Sequence, residues 1–262
     1  MIDFVRKESY SLNDLERIVS ILRAPGGCPW DGEQTHESLR RGLLEESYEV
    51  VEAIDEKSAP HLKEELGDVL LQVVFHADIE KDAGRFTLDD VADGICKKLI
   101  FRHPHVFGDA SVAGSDEVLV NWEELKREEK GQETYSDTLN AVARSLPALW
   151  RAEKVQKKAK KAGFDWPDIS GALDKLSEEL GELRQAVAEQ SNVAEELGDL
   201  LFAAVNVSRF VKADPEETLT AATDKFISRF ETVERLAAAA GHDMAELSLE
   251  ELDKLWDQAK QA

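Results

Sequence analysis

The chain has 262 residues, enough for one large domain or two ordinary ones, and a 42% hydrophobic content that can build a core. Its formal charge of -22 disfavours a nucleic-acid backbone or an anionic membrane as a general partner, and no stretch approaches the roughly 20 apolar residues that span a bilayer. A small anionic substrate stays compatible, provided a metal ion and local cations mask that field. The two cysteines, Cys28 and Cys96, stand in unrelated contexts without metal-ligand spacing, which suits a reducing cytoplasm. Met1 to Tyr10 is charged and lacks an apolar run, so no secretory leader is expected.

Ser11 with Asp14 reads as a helix start, and Leu12, Leu15, Ile18, Val19 and Leu22 keep helical spacing until Pro25-Gly26-Gly27. Cys28-Pro29-Trp30-Asp31 is then a rigid loop whose aromatic is either a packing anchor or a substrate contact. A long helix is expected from about Thr35 to Lys57, and another, begun by Ser58 and Pro60, to about Asp82. Thr87 with Asp90 caps a helix ending near Phe101. Arg102-His103-Pro104-His105-Val106-Phe107-Gly108 then reads as a fixed turn, in which the two histidines are structural because no third ligand stands nearby. Asp116 to Lys130 reads as an exposed helix. Gly131 to Asp137 is the most linker-like segment, so domains are placed at 1–132 and 133–262.

In the second half, Ser145-Leu146-Pro147 opens a basic helix through Lys161. Gly163-Phe164-Asp165-Trp166-Pro167 ends it and matches the earlier tryptophan loop. Two helices follow within Leu173 to Phe202, joined by the polar turn Gln190-Ser191-Asn192. Asp214-Pro215-Glu216 starts a helix that ends at Gly241, and Ser248 with Glu251 caps a last one containing Trp256. No segment alternates with a two-residue period, so the chain reads as all-α.

The chemistry lies in acids spaced three apart. Glu179 with Glu182 and Glu196 with Asp199 each share a helix face, and an antiparallel pair would make four carboxylates converge. A hard divalent cation takes oxygen ligands and offsets their repulsion. Any one acidic pair in a chain with 54 acids is more commonly a solvated helix face. Here the set recurs in order as Glu46, Glu49, Glu65 and Asp68, and Glu64-Glu65-Leu66-Gly67-Asp68 repeats letter for letter at 195–199. That duplication favours ligands and two domains. After each set comes a cation pair four apart, Lys98 with Arg102 and Lys225 with Arg229, suited to phosphate oxygens. Walker, nucleophile-elbow and dinucleotide glycine motifs are absent, and a di-iron bundle would need paired Glu-x-x-His motifs. Oxygen-only ligation points to Mg²⁺ or Mn²⁺.

These acid sets, with Gly27-Cys28-Pro29-Trp30-Asp31, Arg102 to Phe107 and Gly163-Phe164-Asp165-Trp166, resemble the two-domain bacterial form of the MazG-type nucleoside triphosphate pyrophosphohydrolases. The resemblance covers nearly the whole chain. It implies tandem helical-bundle domains, a homodimer, and hydrolysis of a nucleoside triphosphate to monophosphate and pyrophosphate. It further implies Mg²⁺ at Glu179, Glu182, Glu196 and Asp199, triphosphate contacts from Lys175, Lys225 and Arg229, and nucleotide contact from Trp256. In the family the C-terminal repeat is the one usually tied to hydrolysis, so the second domain is expected to be the main catalyst. The sites differ in register, since Asp68 to Lys98 spans 30 positions and Asp199 to Lys225 spans 26. Thr223 also stands where the family commonly has asparagine. The readings that compete with an enzyme are an acidic helical interaction protein and a metal- and nucleotide-binding regulator without catalysis.

Overall fold

The computed structural model describes residues 4–112 and 114–261, and among these there is no strand. The chain divides into two compact units, one up to Lys126 and one from Arg127 onward.

In the first unit, the four longer helices α1, α3, α4 and α5 begin where a short polar side chain satisfies free backbone donors. Ser11 and Asp14 form a capping box for α1 (Leu12–Arg23), and Thr35 with Ser38 does the same for α3 (His36–Asp55). Between them Pro29 nucleates a single turn, α2 (Pro29–Gly32), where a loop was expected. Ser58 caps α4 (Ala59–Asp82), whose Pro60 sits in the first turn, where its missing N–H costs nothing. Thr87 and Asp90 box the start of α5 (Leu88–Arg102), and the His-Pro-His segment adds one more turn, α6 (Pro104–Phe107). His103 Nδ1 lies 2.6 Å from the Leu99 carbonyl, which places this histidine in end-capping rather than ligation. The helix α7 (Ser115–Glu129) follows.

The main packing is α3 against α4, with α1 laid on α4. Val19, Leu39, Val74 and Phe75 form the buried core, flanked by Leu15, Leu71, Ile79 and Leu88. Burying a valine such as Val19 or Val74 completely contributes about 1.5–3 kcal/mol. Beside this core an ion pair is buried: Arg23 donates to Asp78 at 2.7 Å, and the Ser20 hydroxyl donates to the same carboxylate.

The second unit repeats the plan. The segment that read as a linker is instead pinned: Arg127 donates to the carbonyls of Gln132 at 2.8 Å and Glu133 at 2.6 Å. Thr134 and Asp137 then box the start of a short helix, α8 (Tyr135–Asn140). Next come α9 (Ala148–Lys161), α10 (Ile169–Glu189), α11 (Val193–Val211) and α12 (Pro215–Ala239). A 3-10 turn at Met244–Glu246 leads into α13 (Leu249–Ala259). The α10–α11 pair dominates the packing, with α9 against both α11 and α12, and α13 on α12. The sharp return from α10 into α11 requires Gln190 to adopt a left-handed conformation at φ 54°.

Candidate metal and nucleotide site

The three-residue connection between α10 and α11 makes them antiparallel, so the acids at 179–182 face those at 196–199. One oxygen each from Glu179, Glu196 and Asp199 lie within 4.8 Å of one another. Glu182 stands outside that trio. Its carboxyl is nevertheless raised above the ordinary range, first by burial and then by the charge of Glu179, with Glu196 also contributing. Glu182 therefore borders the cluster. The first unit shows the same pattern with a different member displaced: Glu46, Glu49 and Glu65 come within 4.8 Å, while Asp68 lies outside the trio. There burial, a hydrogen bond that protonated Glu46 donates to Glu49, and the charge of Asp68 raise the Glu46 carboxyl.

Glu179 is the most telling of these groups. It is only 5% exposed, one oxygen meets Lys175 Nζ at 2.7 Å, and its Oε2 is buried with no hydrogen-bond partner among the described residues. A buried carboxylate oxygen left without a donor is costly, and a divalent cation is a fitting group to satisfy it. Glu196 accepts from Asn192 Nδ2 at 2.6 Å, which orients that carboxylate. Lys175 is held above its ordinary range by hydrogen bonds to Glu178 and Glu179, so it stays an ammonium. All the donors are oxygens, which suits Mg²⁺ or Mn²⁺.

Beside the cluster lies a cavity of about 500 Å³, whose wall includes Lys175, Glu179 and Asp199 together with Phe164, Trp166 and Phe202. Trp166 is set by a missing side chain. A Cβ on Gly171 would come within 2.3 Å of the Trp166 ring, so glycine lets the indole lie on the first turn of α10. Gly171→Ala is expected to push the indole aside, shifting tryptophan fluorescence and costing about 1–3 kcal/mol in denaturant unfolding. An unchanged emission spectrum would contradict this packing.

The other expected contacts are distributed differently. Lys225, exposed, and Arg229, half-buried, lie on α12, which packs on α13 and α9. Trp256 on α13 rests against Phe226, with ring centroids 5.1 Å apart. Thr223 returns its hydroxyl to the Leu219 carbonyl at 2.9 Å. In the first unit Lys98 is exposed, but Arg102 is buried, with its guanidinium 5.0 Å over the Trp122 ring. Among the expected cations, Lys175 lies directly on the acid cluster, 2.7 Å from Glu179. Trp30 in the first tryptophan loop is 64% exposed, so it does not act as a buried anchor of its unit.

The family model for the MazG nucleotide pyrophosphohydrolase domain matches residues 34–107 and again 169–234, the segments that contain the two acid sets. A Thermotoga maritima protein named nucleoside triphosphate pyrophosphohydrolase/pyrophosphatase MazG is 48% identical, over 94% of this chain and 95% of its own length. An Escherichia coli K12 protein named nucleoside triphosphate pyrophosphohydrolase is 44% identical over 95% of this chain and 98% of its own. The Bacillus subtilis protein YabN is 49% identical over 96% of this chain, which spans 52% of that longer protein. The chain thus belongs to the MazG nucleotide pyrophosphohydrolase family and carries its domain twice.

Proposed function

We propose that the second unit adds water across the bond between the α- and β-phosphates of a nucleoside triphosphate, yielding a nucleoside monophosphate and pyrophosphate, in a Mg²⁺-dependent reaction with broad base tolerance. The observation that carries this reading is the buried, unpartnered Glu179 Oε2 within an all-oxygen cluster, next to Lys175 and an open cavity. Glu179, Glu182, Glu196 and Asp199 would hold the cation. When bound, Mg²⁺ (or Mn²⁺ in its place) neutralises phosphate charge and polarises the phosphorus centres. The chain's own groups do the rest. Lys175 offers a fixed ammonium to the polyphosphate, the carboxylates orient the attacking water, and Lys225 and Arg229 add cationic contacts. Trp256 offers an aromatic face to the nucleotide.

The first unit is the weaker or regulatory copy in this reading. Four residues before Glu179 stands Lys175, whereas four before Glu46 stands Gly42, so the first acid set lacks that ammonium. Arg102, the counterpart of Arg229, is taken up by Trp122. A homodimer is also proposed. Leu44, Tyr48 and Val51 on α3, and Leu180, Val187, Leu197 and Leu201 on α10 and α11, are each at least 40% exposed at helical spacing, and such apolar faces suit burial in a second copy. A solution mass of one chain would remove that part.

The deciding experiment incubates the protein with each canonical nucleoside triphosphate, with and without Mg²⁺, and separates the products. Monophosphate and pyrophosphate formed only with metal are expected. Diphosphate and phosphate would overturn the bond assignment, and binding without turnover would favour the regulator. The metal should bind less tightly at pH 5 than at pH 7.5. Carboxyls raised by burial, such as Glu182, take up protons at higher pH than ordinary ones and compete with the cation. Calorimetric titration at the two pH values measures this, and equal affinities would contradict it.

A further inference from the structure

Away from both acid clusters, four polar side chains of the first unit form a line of contacts that the proposed hydrolysis does not use. Arg85, in the turn after α4, donates Nε and Nη2 to the two oxygens of Glu80, the second at 2.7 Å. Glu80 is 7% exposed and meets His36 Nε2 at 2.5 Å. His36 Nδ1 in turn lies 2.7 Å from His76 Nδ1. The ring planes are 16° apart and the centroids 5.0 Å apart, so the nitrogens meet edge to edge. His36 is the first residue of α3, and His76 and Glu80 stand near the end of α4. The line therefore ties the start of one helix to the end of its partner and to the turn beyond.

The partners fix the hydrogens. Hydrogen bonds from Arg85, with a further one from His36, hold the Glu80 carboxyl down to about 2, so it stays a carboxylate and can only accept. His36 Nε2 therefore carries a hydrogen, and His36 Nδ1 is left facing His76 Nδ1. One hydrogen fits between those two nitrogens. Either His76 donates it to a neutral His36, or a charged His36 donates it to a neutral His76. If both rings are charged, two N–H groups point at each other and the contact is lost. The other charges on the packed helices leave this count unchanged. Glu37 and Arg40 on α3 are exposed. On α1, Arg23 pairs with Asp78 and Asp82, and Glu16 with Lys81, three positions on the opposite face of α4 from His76. On α5, Asp89 is exposed, Asp90 accepts from Thr87, and Asp93 from Lys97.

We propose that the His36–His76 contact is a proton-operated latch of the first unit, closed while the pair shares a single hydrogen and opened when acid charges both rings. Opening releases the first turn of α3, into which the first tryptophan loop leads, from the end of α4, which turns into α5. His36 stands ten residues before Glu46, about 15 Å along the helix, so the latch acts on the end of the unit rather than on its acids. Burial first, and then the charge of His36, keeps the His76 imidazole below its ordinary value. The unfolded chain takes up that proton near pH 6.5, before the folded one does. The latch thus stabilises fully above about pH 6.5 and progressively less below it. The second unit carries apolar residues at the matching positions. Ten before Glu179 is Ile169, and eight and twelve after Asp199 are Val207 and Val211, where His76 and Glu80 follow Asp68. Those side chains cannot take up a proton.

Hydrogen exchange on the full chain, without added metal, tests the latch at two amides. Leu39 N–H donates to the Thr35 carbonyl at 3.1 Å in the first turn of α3, and Arg85 N–H donates to the Glu80 carbonyl at 3.0 Å. Between about pH 7.5 and about pH 5.5, their protection, corrected for the intrinsic pH effect, should fall by about tenfold, the equivalent of one pKa unit. His76→Gln keeps a hydrogen-bonding amide but cannot be charged, so in that variant the fall should disappear. Equal losses in wild type and variant would overturn the latch. Wild type alone supplies a second check, by nuclear magnetic resonance of its imidazoles. The His36 and His76 rings should charge in two separate steps that belong to the pair. Both rings charging together near pH 6.5, the ordinary value, would overturn the proposal whether or not the variant folds.

Discussion

Glu179→Gln is expected to lower turnover of nucleoside triphosphate by about a hundredfold or more, since losing even a hydrogen-bond partner of a metal ligand costs about 10–100-fold. The substitution keeps the side chain's shape, so the buried position on α10 is retained while the charge that faces Lys175 and the other acids is removed. Two further readouts separate loss of ligation from loss of structure. Without metal the melting temperature should not fall, because one of several mutually repelling carboxylates has become neutral. With Mg²⁺, the rise in melting temperature expected of wild type should be absent. Glu182→Gln should also cost activity, though less, as Glu182 sits at the cluster's border. Glu46→Gln in the first unit should cost least. Full activity in Glu179→Gln would sink the assignment of the second unit as the catalyst.

Arg209→Met is expected to destabilise the second unit by about 3–5 kcal/mol, the cost of stranding one partner of a buried ion pair. Arg209 donates to both oxygens of Asp165, one of them at 3.1 Å, and the two side chains are only 6% and 10% exposed. The variant also frees Asn206, which Arg209 orients. The double variant Asp165→Asn with Arg209→Met should recover much of the loss, because no lone charge remains. Hydrogen bonds from Arg209 hold the Asp165 carboxyl below its ordinary range. A depressed carboxylate pKa contributes stability that is complete above the unfolded-state value, about 3.9, and is lost as pH falls through the lower folded value. The gap between wild type and variant should therefore be widest near neutrality and should narrow below about pH 3.9. Urea unfolding at a series of pH values measures it, and a gap independent of pH would refute the ion-pair account.

The counterpart of this pair in the first unit has its charges exchanged. Asp78 and Arg209 each stand ten residues after the site's aspartate, and each meets an opposite charge, Arg23 at the end of α1 or Asp165 in the loop after α9. The two copies of the domain have thus kept a buried pair while reversing its polarity.

Helix limits and the alignment of the acids could be read from the chain because both depend on neighbours within a turn or so. Ser11 with Asp14, Thr87 with Asp90 and Ser248 with Glu251 cap their helices as the local spacing implies. The same locality misled at Thr134, where a capping box begins a helix inside an apparent linker, and at Pro29 and Pro104, which nucleate single turns. Spacing showed that the two sites differ in register, but not which acid of each set stands apart or which cation is buried. Tertiary packing decided that, leaving Glu182 at the edge of one cluster and Asp68 at the edge of the other, and burying Arg102 against Trp122. The cavity was beyond the reach of pattern. Gln156, Trp166 and Asn206 come from separate helices and a loop, up to fifty positions apart in the chain, and no periodicity links them. A residue's neighbours along a helix follow from its repeat, whereas a cavity exists only where several elements pack and one position stays unfilled.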